Sequence, residues 1–435
     1  MGLGLLGKGI GDARFLAECG ADLIITDLKS EKELESSVKA LKKYKNIKFT
    51  LGEHKFSDFE NRDFILKAQG VPLYSPYIAH AKKNGIHVYM DDSLFSIIVS
   101  DFNPKVKIIG VTGTRGKTTV ASIVYHVLKS AKKRVHLGGN IRGIATLELL
   151  KKVKPGDIVV LELSSWQLQG FAEEKISPSI SVFTNFMQDH LNYYGFGQLT
   201  KAEAMKKYFE DKSNIFKFQN EKDILVTNDK VAKKISKNYK GNIIIPKSNF
   251  IPKNWKPSIE GDHNLLNIAQ AVAVLKSLKI PLSQIKKGVE SFKAVTGRLQ
   301  YVKEIKGIKI YNDNNSTTPE ATISALNSFS GKNIVLIMGG ADKGLDLSLL
   351  KKTIIKKTKK IVLLAGTGTF KLGKLPNSIE VNSLKEAIYF AFKEAKKGDI
   401  ILFSPAFASF GKPPYGFKNE YERNDLFLDI IKKIK

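Results

Sequence analysis

The stretch Val106–Ile109 followed by Gly110-Val-Thr-Gly113-Thr-Arg-Gly116-Lys117-Thr118-Thr119 constrains this chain more than any other. A short β-branched run enters a glycine loop. Val120, Ile123, Val124, Val127 and Leu128 then recur at helical spacing, which predicts a helix over 118–131. Strand, glycine loop and helix in that order aim successive backbone N–H groups at a helix N-terminus, where partial positive charge favours phosphate. Lys117 is therefore expected at the β/γ-phosphates of ATP and the Thr118 hydroxyl on Mg²⁺. Gly113, Thr114, Arg115, Gly116 and Thr119 would complete the ATP contacts. Val111 stands where a strict phosphate loop has glycine. A purely structural glycine turn before a core helix is the competing explanation.

The rest of the chain alternates short apolar runs with helical periodicity, the pattern of parallel α/β sheets. Ile158–Leu163 and Ile180–Phe183 are near-continuous apolar runs, expected as strands buried on both faces. Ser383-Leu-Lys-Glu386 has the form of a capping box. A length of 435 residues exceeds what one core serves. Three domains are expected: a Rossmann-like domain over 1–102, a central phosphate-loop domain over 103–294 and a C-terminal Rossmann-like domain over 295–435. Gly2-x-Gly4-x-x-Gly7, with Asp27 after the strand Leu23–Thr26, reads as a dinucleotide-type fingerprint. That fingerprint ought to follow a strand but begins at Met1, so a first strand is expected upstream of the given start.

Composition mainly excludes. No apolar run reaches the roughly 20 residues of a membrane-spanning helix, and residues 1–8 lack the order of a signal peptide. No membrane insertion is expected. The single cysteine, Cys19, fits the cytoplasm and is expected in the core. The net charge of +28 comes from scattered lysines, such as Lys351-Lys352 and Lys356-Lys357 around Ile354-Ile355. Such spacing is that of a solvated helix face, so no nucleic-acid partner is expected.

Glu162 closes the apolar strand in Leu161-Glu-Leu-Ser-Ser165-Trp-Gln167. A carboxylate at a strand's C-terminal end beside a phosphate loop suits Mg²⁺, which takes one or two carboxylates together with phosphates. Asn185-Phe-Met-Gln-Asp189-His190 follows the next strand.

Thr112–Thr118 with Glu162–Gln167 resembles the Mur ligase family, and the likeness extends along the whole chain. The resemblance implies two Mg²⁺ sites, with Thr118, Glu162 and His190 as ligands and a carbamylated lysine as a further one. Lys212, in Tyr208-Phe-Glu-Asp-Lys212-Ser-Asn-Ile-Phe216, matches the family segment, with Lys206 and Lys207 as rivals because 198–205 looks inserted. Lys117, His190, Lys212 and Arg298 are then the expected catalytic residues. Asn264 and Asn267 would read adenine, Arg298 would contact ATP phosphate, and Asp313 would lie on the ribose side. The family's lysine after that aspartate is Asn315 here.

The resemblance further implies a UDP-linked muramoyl substrate, held by Leu5, Leu6, Asp27, Gly70, Asn140, Ser165 and His190. Ala68-Gln69-Gly70 replaces the family's Ser-Pro-Gly. Gly339-Gly-Ala-Asp-Lys343, Ser404–Phe410 and Phe417–Arg423 resemble the D-glutamate-adding branch, with Thr317, Lys343, Ser409 and Tyr421 expected around D-glutamate. Gly411–Pro414 looks inserted. The implied enzyme is an ADP-forming amide ligase, monomeric, working through an acyl phosphate. Another amino-acid ligase of Mur or folylpolyglutamate type shares these motifs. A nicotinamide-dependent oxidoreductase would rest on Gly2–Gly7 and Asp27 alone, and a nucleic-acid motor on the phosphate loop and the charge.

Overall fold

Buried on both faces, the β-branched runs form strands of parallel sheets, as their patterning requires. The computed structural model describes residues 1–5, 7–194, 199–235, 237–259, 261–409 and 416–434. Among them the chain forms two compact units: 1–253 with 267–289, and 254–266 with 290–435.

In the first unit, β1 (Leu23–Asp27) pairs with β2 (Ile47–Leu51), and β3 (Phe64–Leu66) with β4 (His87–Tyr89), both in parallel. These are two separate two-stranded sheets rather than one continuous Rossmann-like sheet. Residues 1 and 2 bond to both: Gly2 N–H donates to Thr26 O at 2.8 Å, and the Met1 ammonium donates to Leu66 O at 2.9 Å. The central sheet has six parallel strands: β5 (Lys107–Thr112), β6 (Val135–Gly139), β7 (Ile158–Glu162), β8 (Ile180–Phe183), β9 (Ile224–Thr227) and β10 (Asn242–Ile244), in the order β10-β9-β8-β5-β7-β6. All residues of β7 and β8 are buried. The helix Lys117–Ser130 buries Val120, Ile123, Val124, Val127 and Leu128, each a side chain whose burial contributes roughly 1.5–3 kcal/mol.

In the second unit a six-stranded sheet runs β11 (Gln300–Ile305), β12 (Ile308–Asn312), β16 (Ile400–Phe403), β13 (Ile334–Gly339), β14 (Thr358–Leu364) and β15 (Ser378–Val381), in that spatial order. Only the β11–β12 hairpin is antiparallel.

Two expectations change. Cys19 is exposed, not core: it is the C-terminal cap of the helix Lys8–Glu18, past the last buried turn. Ser383 caps its helix by accepting from Glu386 N–H, yet the Glu386 carboxylate bonds to Asn382 N–H instead of closing the box. The lysine-rich helix Ser348–Lys357 buries Ile354 and leaves Ile355 exposed. Among the described residues, no helix is long and apolar enough to cross a membrane.

Candidate functional site

Because β5 lies between β7 and β8, the segments leaving all three strands emerge along one edge of the central sheet, with Val111 opposite Glu162 and Thr112 opposite Phe183. That edge gathers the phosphate loop, Glu162 and Asn185–His190. The loop bends at Gly113 (φ 139°) and Gly116 (φ 81°), and at Gly116 a side chain would overlap Asn267 Oδ1. Thr114 ties the loop to the strand beside it: its N–H donates to Asn185 O at 2.9 Å, and its hydroxyl accepts from Met187 N–H at 3.0 Å. Arg115 N–H donates to Asn185 Oδ1 at 2.9 Å, and the Arg115 guanidinium lies 3.4 Å from Asp189. Lys117 Nζ donates to the carbonyls of Gly113 (3.1 Å) and Thr114 (3.2 Å). Thr118 is half-buried and Thr119 buried.

Lys212, only 2% exposed, points at the same loop and donates to Gly113 O at 2.9 Å. Its Nζ sits 4.8 Å above the Tyr208 ring. Burial first, and the Lys117 charge second, hold this amine well below the usual lysine range, while the carboxylates of Asp189, Asp211 and Glu162 oppose the shift. Lys206 and Lys207 are exposed on the same helix. Glu162 is buried; its Oε1 accepts from Asn140 Nδ2 at 3.4 Å, while Oε2 is buried with no hydrogen-bond partner. His190 has φ 57°, and its ring meets Trp166 (centroids 4.8 Å) and Tyr208 (5.6 Å) edge to face.

The expected substrate contacts are less uniform. Asn140 is held against Glu162, since its N–H also donates to Glu162 O at 2.7 Å. Gly70 is exposed and Leu5 is 46% exposed. Ser165 is buried with its hydroxyl bonded to Tyr194. Asp27 is buried and engaged by its own surroundings, accepting from Gly4 N–H (3.1 Å) and Lys29 N–H (2.9 Å). Leu6 lies outside the described residues, as do Phe410 and Gly411–Pro414. Asn264 and Asn267 are both buried near the start of the helix Asp262–Ser277.

In the second unit the segments after β12, β16 and β13 share one sheet edge in the same way. Ala341 and Ala408 exchange both backbone hydrogen bonds, and Ala406 N–H donates to Ser316 O at 2.8 Å. Lys343 Nζ donates to Thr317 Oγ1 at 3.2 Å. Ser409 Oγ is buried without a hydrogen-bond partner and lines a cavity of about 150 Å³ with Gly339, Gly340, Phe417 and Arg423. Tyr421 is half-buried in the helix Glu420–Lys433. Asp313 accepts from Leu299 N–H (3.0 Å), from Ser404 (2.8 Å) and from Ser316, yet burial pushes its carboxyl up to about 6. Arg298 Nη1 donates to Asn315 O at 3.4 Å.

Residues 111–249 match the family described as Mur ligase middle domain, and residues 297–407 match that described as Mur ligase, glutamate ligase domain. The chain is 36% identical to the UDP-N-acetylmuramoylalanine–D-glutamate ligase of Borreliella burgdorferi (strain ZS7), over 100% of this chain and 97% of the relative. This chain belongs to the Mur ligase family. The ligase of the same description from Roseiflexus sp. (strain RS-1) is 33% identical over 99% of this chain and 97% of its own. Among solved structures, MurC from Thermotoga maritima superposes with a TM-score of 0.61 at 19% identity, covering 100% of this chain and 98% of that one. The Thermotoga maritima MurF ligase in complex with ADP gives 0.59 at 22% identity, covering 86% and 95%. Both have the fold described above.

Among the described residues, no group of three or more histidine, cysteine or carboxylate side chains is arranged to hold a metal ion. A hydroxyl, one carboxylate and phosphate oxygens suit Mg²⁺, and the open Oε2 of Glu162 beside the phosphate loop fits that role.

Sequence reasoning assigned no role to several residues that the fold brings in. Asp92 is fully buried and accepts from Lys8 (3.0 Å), Thr146 (2.5 Å) and Gln167, so it joins the N-terminal segment to the turn after Glu162. Arg423 is fully buried and donates to Asn314 Oδ1 (2.8 Å) and Asn314 O (3.0 Å); burial lowers it to about 9. Trp166 was visible in the Glu162–Gln167 motif, but its contact with His190 was not.

Proposed function

We infer that this Mur ligase joins D-glutamate to UDP-N-acetylmuramoyl-L-alanine with cleavage of ATP to ADP, a step of peptidoglycan precursor synthesis. One observation carries the chemistry: the buried Lys212 amine reaches the glycine loop beside Lys117, and Glu162, with its Oε2 unpartnered, ends the strand next to the one that enters that loop. Full-length identity of 36% to a ligase of that description supports the choice of D-glutamate.

The substrate carboxylate attacks the γ-phosphate, giving an acyl phosphate and ADP. The D-glutamate amine then displaces phosphate through a tetrahedral intermediate. Loop N–H groups and Lys117 hold and neutralise the phosphates, because phosphoryl transfer depends mainly on positioning and charge. Bound Mg²⁺ would neutralise charge developing on the phosphoryl oxygens, with Thr118, Glu162, His190 and carbamylated Lys212 as its holders. Capture of CO₂ needs a neutral amine, and burial gives Lys212 that form nearer neutral pH. Of the lysine candidates, the exposed Lys206 and Lys207 lack this environment. Asn264, Asn267, Arg298 and Asp313 serve the nucleotide. Residues 1–102 hold the UDP-linked substrate through Leu5, Leu6, Asp27 and Gly70, aided by Asn140, Ser165 and His190 from 103–294. Thr317, Lys343, Ser409 and Tyr421 of 295–435 receive the amino acid; the buried, unpartnered Ser409 hydroxyl supports that assignment. We place the enzyme in the cytoplasm as a monomer.

The test is ADP release with UDP-N-acetylmuramoyl-L-alanine and, in turn, D-Glu, L-Glu, L-Ala and L-Lys. Turnover is expected with D-Glu alone. Preference for another amino acid would overturn the acceptor assignment.

A further inference from the structure

A line of side-chain hydrogen bonds runs from the loop after β3 to the end of β7. Ser164 Oγ donates to Gln69 Oε1 (3.4 Å), Gln69 Nε2 to Asn140 Oδ1 (3.2 Å), and Asn140 Nδ2 to Glu162 Oε1 (3.4 Å). Its carboxylate end sets its direction. An ionised carboxylate can only accept, so Asn140 must turn nitrogen toward Glu162 and oxygen toward Gln69. Gln69 must then give its nitrogen to Asn140 and its oxygen to the serine hydroxyl. With Oε1 of Glu162 engaged in this way, Oε2 is left buried without a hydrogen-bond partner. The loop is braced from beneath. Lys67 is 2% exposed and its Nζ donates to Val71 O (2.9 Å) and Ala68 O (3.4 Å), fixing the backbone on both sides of Gln69.

We propose that Gln69 is a positioning residue that sets the Asn140 amide and, through it, the Glu162 carboxylate. It thereby preorganises the 68–71 loop together with the cation end of the phosphate site. Gln69 touches no reacting atom in this role; it decides which way round Asn140 stands. Proline, which the family pattern has at this place, could form neither bond, so the device belongs to this chain's Ala68-Gln69-Gly70 sequence. The proposal rests on the ligase reading above.

The experiment compares the full-length wild type with Gln69→Met, which keeps volume and removes both polar ends, and Gln69→Ala. Calorimetric ADP binding is titrated with Mg²⁺ in the absence of turnover. The half-saturating Mg²⁺ concentration should rise about three- to tenfold in both variants, the range expected for losing one net hydrogen bond. The KM for the UDP-linked substrate should rise by a similar factor while the KM for D-glutamate stays unchanged. Asn140→Ala combined with Gln69→Met should be no worse than Asn140→Ala alone, since the effect passes through Asn140. Wild-type Mg²⁺ dependence and KM in Gln69→Met, or additive effects in the double variant, would overturn the proposal. Failure of the wild type itself to bind ADP with Mg²⁺ would instead overturn the ligase reading.

Discussion

Replacing Lys212 with methionine separates what this residue does for the fold from what it does for the reaction. The change keeps length and apolar bulk in a site that is 2% exposed and faces the Tyr208 ring. It removes one hydrogen bond, to Gly113 O at 2.9 Å, with a net contribution of about 0.5–1.5 kcal/mol. The carbonyl is not stranded, because Lys117 Nζ also donates to it at 3.1 Å. Against that loss stands relief of the desolvation that depresses the amine, about 1.4 kcal/mol for each pKa unit. The two effects oppose each other, so the substitution should cost no more than about 1 kcal/mol of stability, a few degrees in Tm. The rate should fall about 100-fold or more, roughly 2.7 kcal/mol of transition-state stabilisation. Differential scanning fluorimetry and coupled ADP release measure the two sides. Lys206→Met and Lys207→Met, at exposed positions, should behave as wild type. A Lys212→Met enzyme retaining more than about a third of wild-type turnover would refute the carbamate assignment. So would a large loss of Tm, which would make Lys212 a fold residue first.

Three further outcomes follow. Lys117→Ala should abolish ADP formation in the coupled assay while the near-ultraviolet circular dichroism stays that of wild type. Gly116→Ala combines φ 81° with overlap of Asn267 Oδ1. It should lower stability by about 1–3 kcal/mol and weaken ADP binding, read by thermal melting and calorimetry. Asp313 is buried with its carboxyl raised to about 6, so its ionised form opposes folding above that pH and the penalty fades as pH falls toward 4. Asp313→Asn should therefore raise Tm at pH 8, by the equivalent of up to about 3 kcal/mol, and give little gain near pH 4. An equal shift at both values would contradict the burial argument.

Local chemistry explains which parts of this molecule were legible beforehand. The phosphate loop, Glu162 and the strand Ile180–Phe183 could be read because glycine, lysine and β-branched residues act over a few neighbours. Lys212 was singled out by its surroundings in sequence, and its burial distinguishes it from Lys206 and Lys207. What could not be read depends on partners distant in the chain. Asp92 meets Gln167 across 75 positions and Arg423 meets Asn314 across 109, and no local pattern encodes either pairing. Asp27 could be picked out from its place after a strand, but that its carboxylate accepts from the N–H groups of Gly4 and Lys29 only the turn geometry reveals. Cys19 was misjudged because a lone small residue carries no periodicity of its own.

The helix Asp262–Ser277 begins in one compact unit and ends in the other. Residues 254–266 are fastened to the C-terminal unit by Lys256 N–H to Glu290 at 2.9 Å and by the Ser324 hydroxyl to His263 at 2.9 Å. Anyone building a chimaera to transplant acceptor choice must therefore make three junctions rather than one. A graft cut only at residue 290 would leave thirteen donor residues behind, 254 to 266, and put a mismatched clasp against the new sheet.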